Sequence, residues 1–156
     1  MIKHIWTVLC RKSILDQESN NISLLDVVER LQVKLSIKRE GQKPDGFVIS
    51  TEFEIVSFWI RDKIDKEEKI QISIETLDSE DNKLGEFTRD LTFSPKMKKM
   101  RLRVKMLNIK LTESGLYHFR IKSKASKQAK WKTEAEIPLE VELIKTLNKK
   151  RPILEA

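Results

Sequence analysis

The sequence predicts an all-β chain: an antiparallel β-sandwich of about seven to nine strands, immunoglobulin-like or C2-like, with room for one short helix. Three observations carry this. Apolar and polar residues alternate with period two along most of the chain, turn-forming residues punctuate the runs at short intervals, and helical periodicity is nearly absent.

Taken in order, Ile2 to Leu9 opens as a strand with few charges and no proline. Such a strand is poorly guarded if it lies at a sheet edge, so Ile2, His4, Trp6 and Val8 are candidates for pairing with a partner strand. Asp16 to Asn21 is turn chemistry. The next stretch admits two readings. Ser23 with Asp26, and Leu24, Leu25, Val28 and Leu31 at helical spacing, suit a capped helix, whereas Leu25, Val27, Leu31 and Val33 suit a strand with a bulge, which is the favoured reading. Leu31, Val33, Leu35 and Ile37 then alternate with polar residues, and Gly41 to Gly46 reads as a turn. From Phe47 to Ile60 both parities are apolar, as in a central strand covered on both faces. Ile70, Ile72 and Ile74 form the following strand, bounded by a turn over Asp78 to Lys83. Ser94 with Pro95 is the next turn, before Leu102, Val104 and Met106. A turn over Thr112 to Gly115 precedes the strand that carries Tyr117, and Ala135, Ile137, Leu139, Val141 and Leu143 alternate with glutamates in the last strand.

At 156 residues, with four glycines and four prolines, the chain suits one domain over 1–146 followed by a basic tail over 147–156. No apolar run approaches the roughly 18 residues of a membrane span, so no membrane association is expected. Met1 to Cys10 lacks a small-residue cleavage site, and a lone Cys10 excludes an intrachain disulfide. Both features suit a cytoplasmic protein.

Charge is distributed unevenly. Between Lys96 and Lys132 lie thirteen Lys and Arg against one acid, Glu113: a net +12 over 37 residues, leaving −5 for the remainder of a chain whose total is +7. Lys96, Lys98, Lys99, Arg101, Arg103 and Lys105 form one run, and Arg120, Lys122, Lys124, Lys127, Lys130 and Lys132 a second. On one sheet these would make a continuous face for a phosphate backbone, and Arg101→Glu with Arg103→Glu would then abolish binding without disturbing the fold. The competing reading is a pair of solvated strand faces. The last strand should pair with the Tyr117 strand, setting some of Glu134, Glu136, Glu140 and Glu142 opposite Arg120, Lys122 and Lys124. Aromatics are 6% of the chain, and only Trp131 lies among the cations as a stacking platform for bases.

Asp78 to Asn82 supplies enough oxygens to suggest calcium, but one acidic loop is better read as a polar turn. His4, His118 and Cys10 are the only nitrogen and sulfur ligands, and His4 and Cys10 lie about 20 Å apart along an extended strand. No phosphate loop, nucleophile elbow or metalloprotease helix occurs. No catalytic residue, metal or cofactor is therefore expected.

The segment Glu113-Ser114-Gly115-Leu116-Tyr117-His118-Phe119 resembles the immunoglobulin-type tyrosine corner. The resemblance implies that the Tyr117 hydroxyl bonds back to the preceding turn, that the strands on either side of it belong to opposite sheets, and that Trp59 is a core tryptophan. Phe119 stands at the family's cysteine position, which removes the inter-sheet disulfide. Ile5 to Leu25, a strand, an Asp- and Asn-containing turn and a Ser-Leu-Leu run, also resembles the opening of small uncharacterised bacterial β-sandwich proteins, a likeness that implies a fold and no activity.

The function expected from these features is non-enzymatic: an accessory, adaptor or self-associating module acting through an unknown protein partner or a second copy of itself. The alternative is nucleic-acid or other polyanion binding through residues 96–132.

Overall fold

The computed structural model describes residues 1–37 and 46–147, and every apolar–polar run within them forms a strand. The nine strands are β1 (Ile2–Leu15), β2 (Ile22–Val27), β3 (Arg30–Ile37), β4 (Phe47–Arg61), β5 (Glu68–Leu77), β6 (Lys83–Phe93), β7 (Lys99–Leu111), β8 (Gly115–Lys124) and β9 (Lys132–Leu147). They make two sheets, ordered β2-β1-β4-β7 and β3-β9-β8-β5-β6. The architecture is all-β and sandwich-like. The expected turn over Gly41 to Gly46 lies largely outside the described residues, as does the tail beyond Leu147.

The core lies between the sheets because alternate residues of each strand point there. Leu9, Phe53, Ile55, Trp59, Ile72, Phe93, Leu111, Tyr117, Phe119, Ile121 and Leu139 are essentially inaccessible to solvent. Burying a side chain of this size contributes roughly 1.5–3 kcal/mol, which makes this layer the main source of stability. Trp59 is indeed core, and Phe119 packs edge-on against Phe53 with ring centroids 5.8 Å apart.

The segment after Ser23 forms strands, the favoured reading, and not the capped helix; no helix occurs among the described residues. The chain instead leaves one sheet for the other: Asp26 takes a left-handed φ of 55°, Val28 N–H donates to the Leu9 carbonyl at 2.8 Å, and the Glu29 carbonyl accepts from Glu140 N–H at 3.0 Å. Leu24 and Leu31 thus belong to different sheets. One expectation needs correcting: the sandwich is not wholly antiparallel, since β3 runs parallel to β9 with Leu31 opposite Val141. A chain that crosses between sheets without turning back must enter the second in the direction it left the first, so this pair is set by that step.

The β1–β2 hairpin extends beyond β4 and curls across the face of β4 and β7 that is turned away from the core. Arg101 Nη2 donates to the Asn20 carbonyl at 3.0 Å, and Arg103 donates from Nε to Ser13 Oγ at 2.7 Å and from Nη2 to the Ser13 carbonyl at 3.0 Å. That curl explains why Glu54 and Val56, on the non-core parity of β4, are buried at 5% and 0% exposure. From Phe53 to Trp59 β4 is covered on both faces, as apolar residues of both parities predict.

Candidate functional site

Tyr117 decides where the cations go. Its hydroxyl donates to the Glu113 carbonyl at 2.7 Å and accepts from the N–H groups of Thr112 and Glu113 at 3.1 and 3.2 Å. The turn so fixed carries the chain from β7 in the four-stranded sheet to β8 in the five-stranded one. The two basic runs therefore do not share a sheet.

On β8 the cations meet carboxylates. Arg120 Nε donates to Glu136 Oε1 at 2.6 Å, and its other nitrogens lie 3.8 Å from Glu75 and 4.0 Å from Asp81. Lys122 is bonded to Glu75, which is buried at 6% exposure and also has Lys83 3.9 Å away. Lys132 pairs with Glu134 at 3.1 Å. Of the four glutamates of β9, Glu136 stands opposite Arg120, while Glu134 bonds Ser123 and Lys132, Glu142 pairs with Arg30 and Gln32, and Glu140 lies opposite Leu116. Lys122 and Lys124 sit 5.5 and 4.6 Å from the Trp131 ring centroid, so the indole face is already taken by cations. Lys124, Lys127 and Lys130 have no ion pair among the described residues.

On β7 the arrangement differs. Arg101 stacks over Phe58 at 5.4 Å besides holding the hairpin, and Arg103 lies 3.8 Å from Glu54, whose Oε2 accepts from Ser13 N–H at 3.1 Å and from the Ser13 hydroxyl. Arg101→Glu with Arg103→Glu, expected to spare the fold, would instead remove the bonds that hold the hairpin and set the carboxylate at 103 beside buried Glu54. Lys99 and Lys105 are exposed and have no ion pair among the described residues. Lys96 occupies the turn after β6 with φ 72°, its N–H donating to the Ile64 carbonyl at 2.8 Å; Lys98 accepts Arg61 N–H on its carbonyl at 3.0 Å.

Arg61 was not among the candidate residues. Its side chain is wholly enclosed and donates to the carbonyls of Lys66 (2.6 Å), Ser94 (2.6 Å) and Met97 (2.8 Å), with the Phe93 ring centroid 5.6 Å away. An arginine closing an apolar strand was the available signal. It braces the two loops that flank Lys96 and Lys98, a structural task.

Among the described residues β7 pairs with β4 on one side only, and β6 pairs with β5 on one side only. The two unpaired edges lie on the same flank of the sandwich and enclose an apolar cleft of about 290 Å³, lined by Val104, Met106 and Ile109 of β7, Leu84 and Phe87 of β6 and Ile74 of β5. Val48 of β4, at 65% exposure, also lines it, with Glu86 of β6 and Lys110 of β7 among its polar residues, and Leu107 of β7 is 58% exposed. The other candidate edge is shorter. β2 pairs with β1 only from Cys10 to Leu15, so Ile2, His4, Trp6 and Val8 have β4 on one side and no ladder partner on the other among the described residues. Trp6 packs against Phe58 at 5.5 Å, and His4 lies edge-on to Trp59 at 4.9 Å with Nε2 bonded to Thr7 Oγ1 at 2.7 Å. Burial lowers the His4 pKa, against a smaller opposing pull from Glu134.

Asp78 and Cys10 are engaged by their surroundings in the fold. Asp78 accepts from the N–H groups of Glu80 and Asn82 at 2.9 and 2.8 Å and from Asn82 Nδ2 at 3.1 Å, so both its oxygens serve the turn. Burial works to raise its pKa, and those hydrogen bonds outweigh it, leaving the value lowered. Cys10 is buried, with its thiol pKa raised by desolvation and by the Glu54 carboxylate. Among the described residues no three His, Cys, Asp or Glu side chains gather as a metal site, and no helix is long and apolar enough to cross a membrane. No protein-family model matches the chain, and no curated protein matches its sequence.

Proposed function

We propose that this chain is a non-enzymatic, immunoglobulin-like module that acts through protein contacts at its open flank. The observation that carries the reading is the pair of unpaired edges, β6 and β7, bordering one apolar cleft. Sheet edges are the usual point of entry for a partner strand; the lysines and arginines of β7 guard it against strands of like or no charge and leave it open to one of opposite charge. The immunoglobulin-like assignment draws on the Tyr117 hydrogen bonds, on core Trp59, and on the parallel pairing of β3 with the last strand. A buried, single thiol at Cys10 suits a reducing, cytoplasmic setting.

Polyanion binding is the less favoured alternative. Its two runs lie on separate sheets, and Arg101, Arg103, Arg120, Lys122 and Lys132 are each engaged with the protein's own groups.

Affinity capture from the source lysate, comparing the parent with Val48→Glu/Leu107→Glu, tests the reading. Stoichiometric recovery of one protein at about 0.2 M salt, reduced in the variant, is the expected result. A parent that stays monomeric and recovers no protein overturns it, as does recovery of nucleic acid alone.

A further inference from the structure

Resting on the reading above, we infer that the unpaired edge of β7 is an acceptor for one extended acidic peptide segment, which adds as a fifth strand beside Lys99–Leu111 and alternates apolar with acidic side chains. Three features of the edge select this occupant. Alternate backbone N–H and C=O groups of β7 point away from β4 and have no ladder partner among the described residues, so a main chain in extended conformation can satisfy them. Residues of the inward parity, Val104 and Met106, open onto the cleft shared with Leu84 and Phe87, which leaves space for one set of apolar side chains from the incoming strand. On the outward parity Lys99 and Lys105 are exposed cations without an ion pair among the described residues, while Arg101 and Arg103 are committed elsewhere.

In a sheet, directly opposed side chains of adjacent strands lie about 5 Å apart, so acids at alternate positions of the added strand face those lysines. A basic or neutral strand would find the same backbone groups but would meet like charge or none. Charge complementarity thus names the partner's chemistry, and the unsatisfied backbone names its conformation. A nucleic acid could answer the lysines but has neither a ladder of amides nor apolar side chains of period two.

The test uses the full chain and a fluorescent synthetic peptide of about eight residues alternating valine with glutamate, a normal strand length. Anisotropy titrations should show saturable binding. Replacing glutamate by lysine, or N-methylating the amides along one edge of the peptide, should each weaken it at least about tenfold, the first by charge and the second by removing ladder donors. Lys99→Glu/Lys105→Glu should reproduce the loss for the acidic peptide and restore binding of the lysine peptide; because Lys105 stands opposite Glu54 on β4, Lys99→Gln/Lys105→Gln, which should show the same loss for the acidic peptide with a melting curve close to the parent's, separates charge from folding. Hydrogen exchange should show new protection on β7 amides alone. Absence of binding at about 1 mM, equal binding of the N-methylated peptide, or protection appearing on β1 or β6 overturns the inference. A protein partner captured equally by the parent and by Lys99→Glu/Lys105→Glu also overturns it, while leaving the contact-module reading intact.

Discussion

β7 and β8 are written in the same language and end as different surfaces. Each alternates apolar residues with Lys and Arg, yet β8 is an interior strand with β5 and β9 on either side, and β7 is an edge. An interior strand has neighbours that can be matched to it, and β8 has them: Glu75 on β5 and Glu136 on β9 face Arg120 and Lys122. On β7, Lys99 stands opposite Ile60 and Lys105 opposite Glu54, neither forming an ion pair among the described residues, while Arg101 and Arg103 are used to hold the β1–β2 hairpin. A cation's role in a sheet follows from its neighbours across the strands, which lie far away in sequence.

The sharpest way to break this contrast is through Glu75. Glu75→Gln leaves Lys122, Arg120 and Lys83 around a site that has lost its charge, and truncating a buried ion pair costs several kcal/mol, discounted here because the partners are partly exposed. A loss of about 2–3 kcal/mol in urea unfolding is expected, against less than about 0.5 kcal/mol for Lys105→Ala on β7. Equal effects would erase the distinction between the strands.

Tyr117→Phe addresses the turn that separates the two runs. Without the hydroxyl, two N–H groups and a carbonyl at Thr112 and Glu113 lose a buried partner, and the expected cost is about 2 kcal/mol. A change below about 0.5 kcal/mol would mean that the β7–β8 connection holds its path without the hydroxyl.

Lysine acylation reads the comparison directly. Under limiting reagent followed by mass spectrometry, Lys99 and Lys105 are expected to react ahead of Lys122, which is bonded to Glu75 and lies beside Trp131. The reverse order would place Lys122 in solvent.

The smallest effect concerns pH at the other edge. Because the folded-state pKa of His4 is lowered by burial, the unfolded chain binds its proton first as pH falls, so stability is full above about pH 6.5 and declines below it. His4→Phe should flatten that decline, a difference under about 1 kcal/mol between pH 7.5 and 5.5, measured as melting temperature against pH. An unchanged slope would show His4 to be solvated in solution.

Period two was enough to find the strands, because a side chain's face in an extended chain depends only on parity. Leu31 to Ile37, Ile70 to Ile74 and Ala135 to Leu143 were legible on that basis, as were the turns at Asp16, Asp78 and Ser94 and the burial of Trp59. The tyrosine corner was readable too, since it is a local structure closed within six residues from Thr112 to Tyr117. Parity says nothing about which strand lies alongside. The passage of residues 22–37 from one sheet to the other, the parallel β3–β9 pair, the folding of the hairpin over Glu54 and the enclosure of Arg61 all depend on contacts between segments remote in the chain. The basic segment shows the division most clearly: the sequence by itself determined that its cations would point outward, and the tertiary structure decided which of them would meet a carboxylate, because an ion pair across a sheet requires a neighbouring strand and, of β7 and β8, β8 has one on each side and β7 one only among the described residues.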